Sequence, residues 1–104
     1  MPVVVVAKFT AKPESVDAVR AVCAKAVEEV HREPGCQLYA LHQTDHTFVF
    51  IEQWADTAAL TTHAAAPALA GLLSGLSTHL TGAPDITTLT AVPAGDPALG
   101  QLRP

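Results

Sequence analysis

The sequence predicts an α+β fold: a four-stranded antiparallel sheet of ferredoxin-like type with helices on one face. Three observations carry that reading. Short β-branched or aromatic runs and stretches of helical periodicity follow one another as strand, helix, strand, strand, helix, strand, the order of the split βαβ unit. The length, 104 residues, holds one domain and little more. Apolar residues make up 49% of the chain against 15% charged, which excludes a disordered segment and leaves more apolar surface than so short a chain hides alone.

Residues 3–10, VVVVAKFT, are short and β-branched, apolar on both faces until Lys8 and Thr10 interrupt one of them. Lys12, Pro13 and Glu14 mark a turn. From Ser15 to Arg32, the residues Val16, Val19, Cys23, Ala26, Val27 and Val30 recur at steps of three and four. This spacing predicts an amphipathic helix, with Ser15 as its N-cap and Pro34-Gly35 as its stop. Residues 36–43 and 47–54 form an antiparallel hairpin across Thr44, Asp45 and His46. In the second strand Phe48, Phe50, Glu52 and Trp54 share one face, and Val49, Ile51 and Gln53 the other.

Asp56 caps the next helix, whose first apolar contact is Leu60, and Pro67 opens a further helical segment. Leu69, Leu72, Leu73, Leu76 and Leu80 form its leucine face. Gly71 and Gly75 on that segment imply close backbone approach or room for a ligand beneath it, because each weakens the helix by about 1 kcal/mol relative to Ala. Gly82-Ala83-Pro84 ends the segment, and residues 85–92 are the fourth strand. Residues 1–92 are therefore the folded domain, and residues 93–104, with three prolines and two glycines, an extended C-terminal arm.

Six basic residues stand against ten acidic ones, for a net charge of -4, and Lys and Arg are nowhere clustered. Neither nucleic acid nor an anionic membrane is an expected partner. Cys23 and Cys36 have neither C-x-x-C spacing nor the density of a disulfide scaffold, so they read as reduced thiols of a cytoplasmic protein. The apolar run at residues 2–7 is too short for a signal h-region or a membrane span. His42 and His46 flank the hairpin turn without a surrounding ligand set, and with His79 they read as surface histidines rather than a metal site. Both sheet faces are apolar, so leaving one in water would expose several hundred Å². Face-to-face packing of two sheets, and hence a homodimer, is the expected remedy.

The stretch EQWADTAALTTH, residues 52–63, resembles the E-x-W-x-[DS]-x-x-[AF]-[LF]-x-x-H signature of the antibiotic biosynthesis monooxygenase (ABM) domain family. Here Glu52, Trp54, Asp56, Ala59, Leu60 and His63 supply it. KPES before the first helix, EPGC at residues 33–36 and a proline after the His-bearing helix agree with it, and the likeness runs over about residues 3–92. The resemblance implies a dimeric α+β barrel in which the C-terminal arm packs on the partner. It also implies one of several chemistries, including cofactor-independent oxidation of phenols and quinols, haem degradation and sugar-phosphate isomerisation. The haem-degrading members carry Trp where this chain has His63, a ligating His where it has Leu73, and an Asn on the first strand where it has Ala7 and Lys8. Haem therefore lacks its axial ligand here.

Phosphate loops, flavin or nicotinamide fingerprints and metal-ligand clusters are all missing from the sequence. An oxygenase built on it needs a substrate that itself reduces dioxygen. The expected function is thus a cofactor-independent monooxygenase, using no metal, haem or flavin, acting on a small electron-rich phenol- or quinol-type aromatic. His63 is the candidate catalytic residue, because imidazole titrates near neutral pH and takes a phenolic proton; the structural alternative is a helix-end cap. Trp54, Tyr39, Phe50 and Leu73 are the candidate substrate contacts. For Tyr39 the alternative is an interface tyrosine, and Glu52 reads as a strand-end carboxylate bonding the next helix or a basic side chain. An isomerase, a reactive-carbonyl detoxifying enzyme and a non-catalytic small-molecule binder are the rival functions.

Overall fold

The β-branched N-terminal run becomes an inner strand in the computed structural model, which describes residues 1–104. This strand, β1 (Val3–Thr10), lies between β3 (Thr47–Trp54) and β4 (Asp85–Thr90), while β2 (Cys36–Thr44) takes the other edge. The order is β2-β3-β1-β4 and every pairing is antiparallel. Three helices, α1 (Val16–Val30), α2 (Thr57–Ala64) and α3 (Pro67–Leu76), cover one face, giving the ferredoxin-like arrangement that the element order predicts.

Register decides which side chains meet the helices. Ala7 pairs with Phe50 and Phe9 with Phe48, and this set faces Val19, Cys23 and Val30 of α1 and Leu72 and Leu76 of α3 in the core. The alternate set, Val4, Val6, Val49, Ile51 and Gln53, points to the other face, as period-2 geometry requires. The hairpin between β2 and β3 is tighter than expected. It turns on Asp45 and His46 alone, with Asp45 in the left-handed region at φ 53°.

Three local expectations change. Ser15 stands at the start of α1 but makes no capping bond there; its hydroxyl is hydrogen-bonded to His79 Nδ1 at 2.9 Å. His79 is thus a half-buried tie between the turn at Pro13–Ser15 and the chain after α3, not a surface histidine. The leucine face is narrower than five residues, because α3 ends at Leu76 and only Leu72 and Leu76, four apart, point fully inward. Leu73, one step further round the helix, is 42% exposed. At Gly75 the reason for glycine is close approach: a Cβ there would lie 2.9 Å from Val22 of α1.

Beyond β4 the chain folds back over the outer face of its own sheet. The buried Gln53 amide donates to the Arg103 carbonyl at 3.2 Å and accepts from the Arg103 N–H at 3.3 Å, so one side chain satisfies both backbone groups. An open groove of about 420 Å³ remains between arm and sheet, lined by Val4, Ile51, Leu89 and Leu102 among others. The accessible surface, 6056 Å², exceeds the roughly 5,500 Å² expected of a compact monomer of this mass. No single helix is long and apolar enough to cross a membrane.

Truncating the inward leucine should therefore cost far more than truncating its neighbour. Leu76→Ala is expected to lose about 2–5 kcal/mol and Leu73→Ala under about 1 kcal/mol, as read from urea unfolding midpoints.

Candidate functional site

Glycine at position 35 sets the site's geometry. Gly35 sits at φ +80° and a Cβ on it would lie 2.5 Å from the Ala59 side chain of α2, so both the backbone conformation and the contact exclude other residues. The Ala55 N–H donates to the Gly35 carbonyl at 2.9 Å and pins the two segments together. Asp56 starts α2 as the sequence predicts, its side chain accepting from the Ala59 N–H at 2.8 Å. Ala59 and His63 lie one turn apart on the same face of α2. The approach that seats Gly35 on Ala59 also brings Glu33 to His63, and their Oε1 and Nδ1 atoms are 2.8 Å apart.

An ionised carboxylate only accepts, so Nδ1 donates to Glu33 and the neutral imidazole keeps Nε2 as its free acceptor. Glu33 has one more consequence for the pair. Its second oxygen is buried without a partner, so the Nδ1–H of His63 is the one side-chain donor this carboxylate has. The indole of Trp54 stacks on the imidazole at 4.4 Å with 28° between planes, an arrangement that favours an imidazolium once His63 takes a proton. The same indole donates from Nε1 to Glu52 Oε1 at 3.0 Å.

A cavity of about 150 Å³ opens beside these groups, between sheet and helices. Its apolar lining comes from Val5, Ala7 and Phe9 of β1, Leu60 and Ala64 of α2, Leu69 of α3 and Ile86 of β4. Tyr39, Glu52 and His63 are its polar members, and they are only 3%, 4% and 4% exposed. The Tyr39 hydroxyl, the second Glu52 oxygen and His63 Nε2 form no hydrogen bond within the protein. Three polar side chains around an otherwise apolar cavity, each with an atom unpaired in the protein, are what a small-molecule site requires. A larger concavity, about 480 Å³, runs along the free edge of β2, but it is an open trough whose one histidine, His31, already donates to the Tyr39 carbonyl at 2.9 Å.

Burial holds the Glu52 carboxyl above its ordinary range; the bond from Trp54 and the nearby His63 work against that shift, and Glu33 adds to it. Burial likewise raises the Tyr39 hydroxyl, helped by Glu52. The thiols are poor nucleophiles: burial pushes Cys23 up to about 11, and burial with the Glu33 and Glu52 charges raises Cys36.

Of the residues expected at the site, His63 and Tyr39 line the cavity. Tyr39 faces the helices, against Phe50 at 4.8 Å and His63 at 5.6 Å between ring centroids, so it is not a tyrosine of the outer sheet face. Trp54 and Phe50 are fully buried behind these two and do not line the cavity. Leu73 lies apart from it, because the inward stripe of α3 passes through Leu72 and Leu76. Glu52 binds neither the next helix nor a basic side chain; it is a member of the cavity. Glu33 was missed as a functional residue, although the EPGC motif that carries it pointed to this turn.

A sequence model described as antibiotic biosynthesis monooxygenase matches residues 2–71. Among solved structures, one described as an antibiotic biosynthesis monooxygenase is 33% identical over 88% of this chain and 99% of its own, with a TM-score of 0.81. PA3566 from Pseudomonas aeruginosa is 31% identical over 88% of this chain and 94% of its own, with a TM-score of 0.80. Rv0793 from Mycobacterium tuberculosis shares the fold at 24% identity, covering 92% of this chain and 100% of its own, with a TM-score of 0.85. No curated protein sequence matches significantly.

The raised Glu52 carboxyl has a pH signature. A carboxyl whose folded pKa exceeds its unfolded value stabilises the fold at low pH, and that contribution is lost as pH rises through the folded value. Glu52→Gln should therefore melt above the wild type at pH 8, with the gap closing toward pH 4 in paired thermal scans.

Proposed function

The chain belongs to the antibiotic biosynthesis monooxygenase family, and from that premise we propose that it oxidises a small, electron-rich phenol- or quinol-type aromatic with dioxygen. The observation that carries the reading is the oriented base: His63, held by Glu33 through Nδ1, with Nε2 free on a cavity otherwise lined mainly by apolar side chains. Size supports independence from haem and flavin, since a cavity of about 150 Å³ is smaller than either ring system. The protein's part is then to remove a proton, exclude water and hold the anion.

In the proposed reaction the substrate hydroxyl gives its proton to His63 Nε2, and the Glu33 carboxylate and Trp54 face stabilise the imidazolium. The phenolate passes one electron to dioxygen. The resulting radical and superoxide combine at a ring carbon that bears hydrogen, and His63 returns the proton to the peroxide. Removal of the ring hydrogen by the same imidazole breaks the O–O bond, leaves a ring carbonyl and expels hydroxide. Hydroxide takes up that proton and leaves as water, so a phenol and dioxygen become a quinone and water. Tyr39 contacts the substrate oxygen in this scheme. Trp54 and Phe50 support the site from behind, and Leu73 has no part in it.

Two ionisable groups on one cavity, His63 and Glu52, favour a rival: proton transfer without oxygen, as in an isomerase. Turnover that persists unchanged under nitrogen would select that rival. We also propose that the protein is a cytoplasmic homodimer. The free thiols support the location. The outer-face residues Val6, Val49, Ile51 and Leu89 support pairing of two sheets, and the arm then meets the partner as well as its own sheet. Light scattering is expected to give twice the chain mass at micromolar concentration, and a monomer would rule the dimer out.

Activity on a phenol and quinol panel should need air. His63→Ala should lower kcat by about 10² to 10⁴, and Glu33→Gln by at least about tenfold with little change in KM, since it loses the charge behind the base rather than a substrate contact. Full activity in His63→Ala would sink the mechanism.

A further inference from the structure

The cavity's volume and its polar atoms together select a narrower ligand than the proposed function names. A 150 Å³ apolar cavity holds one benzene-sized ring, and this one is about that size. Leu60, Leu69 and Ile86 bound it on the helix and β4 sides. A fused second ring would have to displace Leu60 and Leu69, which are packed against the core and resist it, or push out past Ile86.

The polar groups set the substituents. His63 Nε2 is an acceptor while Nδ1 donates to Glu33. Glu52, as a carboxylate, only accepts; Trp54 uses one of its oxygens and the other has no protein partner. Tyr39 supplies a hydroxyl that both donates and accepts. Two acceptor atoms on largely buried side chains, both without a protein partner, are satisfied by a ligand that brings two O–H donors. Resting on the reading of this cavity as the substrate site, we propose that the ligand is a single-ring dihydroxybenzene, one hydroxyl on His63 and the second on Glu52, which makes Glu52 the specificity-determining residue. A ring with one hydroxyl leaves one acceptor unpaired. Oxygenation turns the hydroxyl on His63 into a carbonyl and leaves that acceptor unpaired, so oxidation itself weakens binding and promotes release.

Trp54, the chain's one tryptophan, stacks on His63 and provides a fluorescence reporter for the site. Anaerobic titrations of the full chain at pH 8 compare 1,4-dihydroxybenzene, phenol and 1,4-dihydroxynaphthalene. The one-ring diol is expected to bind about tenfold tighter than either of the others. In Glu52→Gln the amide oxygen stays on Trp54 and the amide NH₂ faces the cavity, so the preference for the diol over phenol should fall to within about threefold. Ile86→Ala, at a 58% exposed position where truncation is well tolerated, should raise the affinity of the two-ring diol at least about fivefold. Equal binding of phenol and diol by the wild type, a diol preference that survives Glu52→Gln, a two-ring diol that binds tighter than the one-ring diol, or no binding by any of the three would each overturn the proposal. The binding arm is independent of turnover. Glu52-dependent diol binding without oxygen uptake in air would uphold this inference and defeat the oxygenase; oxygen uptake on larger phenols without Glu52 dependence would do the reverse.

Discussion

The hydrogen bond between Glu33 and His63 joins the turn after α1 to the last turn of α2, and the chemistry of the cavity follows from it. It fixes which nitrogen of the neutral imidazole carries hydrogen, and leaves the other without a partner in the protein. It exists because Gly35 has no side chain, which lets the turn settle on Ala59 one helical turn before His63. Any other residue at position 35 would lift the turn from the helix and separate carboxylate from imidazole. A backbone requirement at Gly35 thus becomes a property of a base well down the chain, at His63.

β3 connects that arrangement to the rest of the molecule. Its consecutive residues Glu52 and Gln53 are both buried and polar, yet they serve opposite faces of the sheet. Glu52 joins Trp54 and the cavity; Gln53 holds Arg103 and the returning arm. Trp54 then touches His63 and Glu52 at once, so the two ionisable groups of the cavity share one rigid, fully buried support. Positions this constrained lose little conformational freedom when a ligand arrives.

The fold was legible because its signals are local. The helical step in residues 16–30, the β-branched run at residues 3–7 and the aromatic alternation at residues 48–54 each declare an element without reference to the others. Asp56 and His63 were legible for the same reason, one as a cap before a helical span and one inside a short motif. Glu33 was not, because its partner lies thirty positions on and the turn between them shows only Pro-Gly punctuation. Glu52 looked like the end of a strand until register placed it opposite Val5, over the cavity. Five leucines at helical spacing cannot tell which of two adjacent stripes faces inward. The early end of α3 and the seat of Gly75 against Val22 decide that, and both are tertiary facts.

The edge strand β4 carries Ile86, yet all six of its residues are exposed and it pairs with β1 alone. Protection against opening rises with buried contact, so in the single chain this strand belongs to the least stable cooperative unit of the sheet while β1 and β3 belong to the most stable. The cavity is therefore walled on one side by the part of the fold that frays first. Entry and exit of a ligand through that side need only a sub-global fluctuation that leaves the Glu33–His63 pair and its tryptophan support intact, which separates the rate of access from the rigidity of the reacting groups.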